Sequence, residues 1–132
     1  MSQVEIEIPS RSVYVGVVRL ALAALARSAG LGEEAVDDLR IAVGEACTNA
    51  VIANEEASPD SPVSVNWSLE DEQIVIEVGD RGQGFDPENS DRDEDFQARM
   101  NLSKALLGSL VDSCEVAQRS DGGMCARLVV NL

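Results

Sequence analysis

The chain has 132 residues, with 24 acidic and 10 basic side chains and a formal net charge of −14 at pH 7. This charge repels nucleic-acid phosphates and anionic lipid, so it disfavours direct binding to nucleic acid or a membrane and favours a basic protein partner or plain solubility. The hydrophobic fraction of 45% and the aromatic fraction of 3% predict a single domain, 1–132, with a core of Val, Leu, Ile and Ala.

Hydrophobic periodicity predicts eight elements in chain order. They are a half-buried strand at Val4–Ile8, a helix at Val13–Ser28 ending at Gly30, a helix at 32–54, a hairpin of Val63–Leu69 and Gln73–Val78, a helix at Leu102–Val111, and a hairpin of Cys114–Gln118 and Arg127–Leu132. The order β-α-α-β-β-α-β-β predicts a two-layer α/β sandwich, with a mostly antiparallel sheet covered by helices on one face. A long polar segment, Asp80–Arg99, interrupts this order, and loops of that length are usually functional or disordered.

Three cysteines stand at positions 47, 114 and 125, without CxxC spacing and each in an apolar stretch. They predict buried free thiols in a reducing compartment. The N-terminal segment has no apolar signal-peptide core, and the apolar run Val13–Ala26 is broken by Arg19 and is too short to span a bilayer. These features predict a cytoplasmic protein.

The second predicted helix carries two polar residues in an apolar sequence. Glu45 and Asn49 are four residues apart, so they stack on one side of the helix, at the rim of its apolar stripe. An Asn oxygen at the rim suits a hard cation such as Mg²⁺, and a carboxylate there can reach a cleft. Taken alone, the pair is better explained as ordinary solvated helix residues, because a match of two residues is a weak motif. The stripe itself is formed by Val36, Leu39, Val43, Ala46 and Ala50.

A second polar set follows the strand Gln73–Val78. Asp80 ends the apolar run, and Gly82, Gly84 and Phe85 follow it. A buried Asp at a strand end can accept a hydrogen bond from an exocyclic amine such as that of adenine, and glycines let the backbone turn closely around a ligand. A glycine-rich turn is the plainer interpretation, and a calcium loop is disfavoured because the alternating acids of an EF-hand are missing.

Together these motifs resemble the histidine-kinase-like ATPase superfamily and its Bergerat fold. The resemblance rests on ExxxN, at Glu45 and Asn49, followed by DxGxGF, which begins at Asp80. EACTNAV (45–51), GFDP (84–87) and SLVD (109–112) resemble, more narrowly, the anti-sigma-factor serine kinases of the RsbW type. The resemblance covers nearly the whole chain and agrees with the predicted order of elements.

The resemblance implies a domain that binds ATP and Mg²⁺, phosphorylates a serine on an anti-anti-sigma protein, binds a sigma factor and usually works as a homodimer. It implies that Glu45 is the general base, that Asn49 holds Mg²⁺, and that Asp80 accepts from the adenine amine. Gly82 and Gly84 would form the wall of the nucleotide pocket.

The phosphate side of the implied pocket departs from the family pattern. In the family, a glycine box opens the helix that follows the lid, and here Asn101-Leu102-Ser103 replaces it. The N-terminus of this helix is still expected to offer free N–H groups to an anion, beside the side chains of Asn101 and Ser103. The implied lid, Asp86–Arg99, is strongly acidic, which disfavours ATP unless metal ions or Arg99 compensate; most of its acids fit an ordinary solvated loop.

Two further departures concern single positions. Ala53 stands where the family often has His, and Met124 stands where a hydroxyl residue often supports adenine recognition. The departures leave two alternatives open. One is a partner-binding module of the same fold without catalysis and with weak or no nucleotide binding, and the other is an acidic interaction protein whose motifs are coincidental.

Overall fold

The chain forms one five-stranded sheet and three α-helices within residues 2–82, 94–120 and 122–132, the part that a computed structural model describes. In chain order these are β1 (Ser2–Ile8), a 3₁₀ turn (Ser12–Tyr14), α1 (Val15–Ser28), α2 (Glu33–Ala57), β2 (Val63–Glu70), β3 (Gln73–Gly79), α3 (Glu94–Leu110), β4 (Ser113–Gln118) and β5 (Met124–Asn131). The predicted order of elements is confirmed.

The strands lie in the order β1-β2-β3-β5-β4, and every described pair is antiparallel. The β2–β3 hairpin turns through Asp71 and Glu72, whose φ angles of 47° and 64° give the two-residue turn that matches the twist of antiparallel strands. The fifth strand inserts beside β3, so the loops that follow β3 and precede β5 meet at one edge of the molecule.

The helices cover one face of the sheet and bury an aliphatic core between the two layers. Each fully buried Val, Leu or Ile side chain contributes about 1.5–3 kcal/mol relative to exposure. The layered arrangement agrees with the predicted two-layer sandwich. The core joins Val18 and Leu22 of α1 and Val36, Leu39 and Val43 of α2 to Val65, Trp67, Ile74, Ile76 and Leu128 of the sheet.

Helix α1 ends as its sequence predicts. The N–H of Leu31 donates to the carbonyl of Ala26, and Gly30 has φ 94°, which is the usual glycine stop of a helix. Its side chain Leu22 is buried in the core, whereas Val17 and Leu20 are 56% and 68% exposed.

Helix α3 is longer at its start than the sequence predicts. The predicted start at Leu102 is wrong, because α3 already begins at Glu94 and runs unbroken to Leu110. Without glycines at 101–103, the segment holds good helix formers, such as Gln97, Ala98 and Arg99, and no residue that stops a helix. Gly84, Phe85 and the lid positions 86–93 lie outside the described residues.

None of the helices that the structure describes is long and apolar enough to cross a membrane.

Candidate functional site

One cavity of about 710 Å³ lies between α2, α3 and the ends of β3 and β5. Its volume is that of a small-molecule or cofactor site. Two helices and two strands thereby bring distant parts of the chain together. Six of the residues singled out from the sequence line it: Glu45, Asn49, Asp80, Arg99, Asn101 and Ser103.

Glu45 and Asn49 reach the cavity from the rim of α2. The helical repeat turns Ala46 and Ala50 fully into the core, which leaves their neighbours Glu45 and Asn49 half-buried. The Nδ2 atom of Asn49 donates a 2.7 Å hydrogen bond to the Oγ atom of Ser103 on α3. This contact uses the amide nitrogen of Asn49 and ties the two helices together across the cavity.

Asp80 stands at the end of β3 and is only 9% exposed. Its Oδ1 atom accepts hydrogen bonds from the N–H groups of Gly82, at 2.8 Å, and Met124, at 3.3 Å, while its own N–H donates to the carbonyl of Met124 at 2.9 Å. Burial raises the pKa of the Asp80 carboxyl, and the two N–H donors and the charge of Arg119 oppose that rise. The carboxylate is therefore held in a fixed orientation by the backbone of the neighbouring loops.

Glycines let the loops around Asp80 approach closely. A Cβ atom on Gly82 would lie 2.6 Å from the Cβ of Ala53, so this glycine packs against α2. Ala53 lines the cavity, whereas Gly82 is not among the residues that do so. A Cβ atom on Gly123 would lie 2.0 Å from the carbonyl oxygen of Asp80, at φ 88°, a constraint that sequence reasoning did not identify. The predicted partner Gly84 lies outside the described residues.

Helix α3 supplies the side of the cavity opposite Asp80. The expectation that residues 101–103 offer free N–H groups is wrong, because these residues lie inside the helix and their amides serve its own hydrogen bonds. Side chains face the cavity instead, and Lys104 joins Arg99 there as a second cation. Sequence reasoning missed Lys104, because its spacing of five from Arg99 does not place two residues on one face of a helix and the predicted helix began only at Leu102.

A second hollow of about 340 Å³ adjoins the first. Glu45 and Thr48 line both, and the second is completed by Ser12, Val15, Arg19, Ile41 and Gly44. A Cβ atom on Gly44 would lie 3.0 Å from the Cδ of Arg19, so a glycine at this place lets the Arg19 side chain lie close to α2. The Glu45 carboxylate therefore stands between two openings.

Asp112, the last residue of the SLVD motif, acts within the fold. Its N–H donates to the carbonyl of Val129 at 2.9 Å, and its Oδ2 atom accepts from the N–H of Asn131 at 2.7 Å. Both bonds anchor the end of α3 to β5. Asp112 of this motif therefore joins α3 to β5 and does not line the cavity.

Residues 8–130 match the family described as the histidine kinase-like ATPase domain. Similar curated relatives are each named serine-protein kinase RsbW. The relative from Bacillus subtilis (strain 168) is 31% identical over 129 residues, which cover 98% of this chain and 72% of that protein. The relative from Bacillus velezensis is 33% identical over 129 residues with the same coverage, and that from Bacillus pumilus is 34% identical over 128 residues, covering 89% and 79%.

A solved structure shares the fold. The crystal structure of the RsbU and RsbW domains of a Mycobacterium tuberculosis protein superposes with a TM-score of 0.75 at 20% identity, and the likeness covers all of this chain and 33% of that one. At this identity the likeness concerns the fold alone. The family match extends over nearly the whole chain, and relatives above 30% identity support it, so the chain belongs to the histidine kinase-like ATPase domain family.

Proposed function

We propose that residues 1–132 act as one histidine-kinase-like ATPase domain that binds Mg·ATP and phosphorylates a serine on an anti-anti-sigma antagonist, and so controls the availability of a sigma factor. One observation carries the proposal: Glu45, Asn49 and Asp80 line the same cavity, although they come from the middle of α2 and the end of β3. The relatives are named serine-protein kinases, which supports the reaction class. A cytoplasmic location belongs to the same proposal.

Asp80 is proposed to read the adenine base. A buried carboxylate accepts a hydrogen bond from the adenine amine and rejects a base that presents a carbonyl oxygen there, since that base would leave a polar group unpaired. The apolar side chains of Val78, Ala126 and Met124 line the same cavity and suit the faces of a purine. Met124 supplies the Asp80 carboxylate with a backbone N–H, and this contact does not depend on the absent hydroxyl side chain.

Asn49, Arg99 and Lys104 are proposed to serve the phosphate end. Within the described residues no cluster of three His, Cys, Asp or Glu side chains could hold a metal, so Mg²⁺ would rest on the amide oxygen of Asn49 and on phosphate oxygens. When bound, Mg·ATP supplies the transferable phosphoryl group. The two cations of α3 offset the cavity carboxylates Glu45, Glu56 and Asp80.

Glu45 is proposed to take the proton of the substrate serine. Its place between the two hollows supports this role, because nucleotide can occupy one side and a serine-bearing loop can approach from the other. The geometric requirement for a general base is hydrogen-bond reach to the hydroxyl that attacks.

Helix α1 is proposed as the interface for a second copy, which gives the homodimer. Val17 and Leu20 of α1, together with Val13 of the preceding 3₁₀ turn, form an exposed apolar stripe and are 56%, 68% and 71% exposed. No acidic residue stands between positions 9 and 32 of an otherwise acidic chain, so repulsion between carboxylates within this segment does not oppose burial of the stripe. Leu20→Glu should convert a dimer to a monomer in sedimentation, and Ala24→Ser should leave it a dimer.

The experiment that tests the function combines binding and turnover. Mg·ATP should raise the melting temperature of the purified protein, since ligand at 100 times its Kd adds about 2.7 kcal/mol to the native state. Glu45→Gln should keep this shift and lose phosphorylation of a candidate antagonist, while Asp80→Asn should lose both. No shift at millimolar Mg·ATP would refute nucleotide binding.

A second candidate is a partner-binding module of the same fold without catalysis. The unbroken course of α3 through residues 101–103 favours it, because no backbone N–H groups are offered to phosphate there. This candidate predicts a complex with a sigma factor that is unaffected by Mg·ATP. A partner affinity that changes between the ATP-bound and ADP-bound states would exclude it, since a nucleotide switch requires different affinities in the two states.

A further inference from the structure

Asn54 is a fully buried polar side chain that belongs to none of the motifs. It lies on the last turns of α2, one residue after Ala53 of the cavity wall, and it is 0% exposed. Buried amides must find partners for both ends, so what Asn54 contacts indicates why the residue is there.

The two ends of the Asn54 amide face different parts of the molecule. Its Nδ2 atom donates to Ser10 Oγ at 2.9 Å and to the carbonyls of Ser61 and Pro62 at 3.2 and 3.3 Å, and Ser10 Oγ in turn donates to the Ser61 carbonyl. Its Oδ1 atom accepts the N–H of Arg81 at 2.6 Å. The nitrogen side therefore ties together two surface turns, whereas the oxygen side holds the loop that carries Asp80.

Three backbone groups in a row anchor that loop. The N–H of Asp80 binds Met124 of β5, the N–H of Arg81 binds Asn54 of α2, and the N–H of Gly82 binds the Asp80 carboxylate itself. The Gly82 bond is internal to the loop, so it cannot place the loop relative to the rest of the protein. Asn54 therefore hydrogen-bonds the loop to α2, the helix that carries Glu45 and Asn49, and Gly82 packs against Ala53 of the same helix.

We propose that Asn54 is a positioning residue for the adenine-reading carboxylate: by holding the Arg81 amide it fixes Asp80 relative to α2 and so sets how strongly the site prefers adenine to guanine. This inference rests on the proposed nucleotide binding. Guanine presents a carbonyl oxygen where adenine presents its amine, so its rejection depends on a carboxylate that cannot move aside. Freeing the Arg81 amide gives Asp80 room to shift, which should weaken adenine binding more than guanine binding.

The experiment compares the affinities of the full chain for Mg·ATP and Mg·GTP by calorimetry. Asn54→Ala should lower the ratio of ATP to GTP affinity by about tenfold, by analogy with the loss of affinity when a group that orients a metal ligand is removed. The control is Ser10→Ala, which removes a contact on the nitrogen side only. It should lower the melting temperature and leave the ratio unchanged. Asn54→Asp, which keeps an oxygen for the Arg81 amide, should restore part of the ratio.

Equal loss of ATP and GTP affinity in Asn54→Ala, or a ratio that falls as much in Ser10→Ala, would show a merely structural role. Hydrogen exchange on the wild-type protein is a test that does not depend on a variant that folds. The Arg81 amide should exchange its hydrogen slowly, and exchange at the rate of an unprotected amide would overturn the inference. Wild-type protein that binds neither nucleotide refutes the proposed function, and the exchange rate then decides the Asn54 contact separately.

Discussion

The positions of the predicted site residues are set by α2 and by the end of β3. Glu45 and Asn49 occupy the rim of a helix whose stripe is buried, and Asp80 closes a buried strand, so all three meet at one cavity. None of them needs an unusual backbone. The glycines beside Asp80 carry that demand, because Gly82 and Gly123 take positions where a side chain would collide with Ala53 or with the Asp80 backbone.

Asp80→Asn should separate stability from binding. Because burial raises the pKa of Asp80, its folded-state pKa lies above the unfolded value, and ionising the buried carboxylate lowers the free energy of unfolding as pH rises through that interval. Asn cannot ionise and avoids this cost. The difference in melting temperature, Asp80→Asn minus wild type, should therefore be more positive at neutral pH than at about pH 3, where Asp80 is mostly protonated in both the folded and the unfolded protein. Thermal melts across this range measure it.

The control for this pH series is Asp60→Asn, at an exposed position. Its melting temperature relative to wild type should show a smaller pH dependence of this sign. A difference between Asp80→Asn and wild type that stays constant with pH, or favours wild type as pH rises, would contradict the expected cost of the buried charge.

Cys47 should be chemically inert in the folded protein. The side chain is fully buried, and desolvation raises its pKa to about 12, so the reactive thiolate is scarce at neutral pH. Cys114 and Cys125 are half-buried and not fully buried as the sequence predicts. Under native labelling with a thiol reagent followed by mass spectrometry, we expect Cys47 to react last, and labelling of Cys47 ahead of the other two would show that α2 opens locally.

Among the elements, α3 decides whether the cavity is a working nucleotide site. Its unbroken helix consumes the backbone amides of residues 101–103, and Ser103, 6% exposed, bonds to Asn49. The two other elements of the cavity are held more firmly in place. The buried stripe of α2 packs it against the core, and β3 pairs with a strand on each side. Phosphate binding through backbone N–H groups therefore requires the first part of α3 to unwind.

Ser103→Gly should bind Mg·ATP more tightly than Ser103→Ala does. Both variants lose the bond to Asn49, but Gly also costs the helix about 1 kcal/mol relative to Ala, which corresponds to a gain of about fivefold if unwinding precedes binding. Calorimetric titration measures the two Kd values. Ala105→Gly, at an exposed position of α3 that does not line the cavity, is the matched control and should leave the Kd unchanged.

If Ser103→Gly binds no more tightly than Ser103→Ala, α3 stays helical when nucleotide binds. The cationic side chains of Arg99 and Lys104 would then be the phosphate contacts, without any backbone amides.

At the scale of the whole protein, the main feature is the large negative net charge. With a net charge of −14, the folded chain carries strong self-repulsion, and the exposed ion pairs Arg27–Glu33, at 2.9 Å, and Arg40–Asp37, at 3.9 Å, add little stability. The negative charge also favours binding to a basic protein partner, as the sequence predicts. The longest stretch without carboxylates, 9–32, contains the exposed apolar stripe of Val13, Val17 and Leu20.

Added salt should therefore stabilise the fold. Raising ionic strength from about 0.01 M to about 0.15 M shortens the screening length from about 30 Å to about 8 Å, which weakens repulsion among the carboxylates. We expect the melting temperature to rise by a few degrees in calorimetry. The double variant Glu5→Gln and Glu7→Gln, at exposed positions of β1, should melt higher at low salt and show a smaller rise. A melting temperature that falls with salt would mean that favourable ion pairs outweigh the repulsion.

Features encoded by local periodicity were predictable from the amino-acid sequence: the order of elements, the buried stripe of α2, the polar pair at its rim and the Asp at the end of β3. Each depends on residues within a few positions of one another, so a repeat of 3.6 or 2 is enough to reveal it. Contacts between distant segments were not predictable. The Ser103–Asn49 bond, the hollow beside Arg19 and the Asn54 contact to Arg81 all depend on how packing brings together segments far apart in the chain, and no local pattern records that.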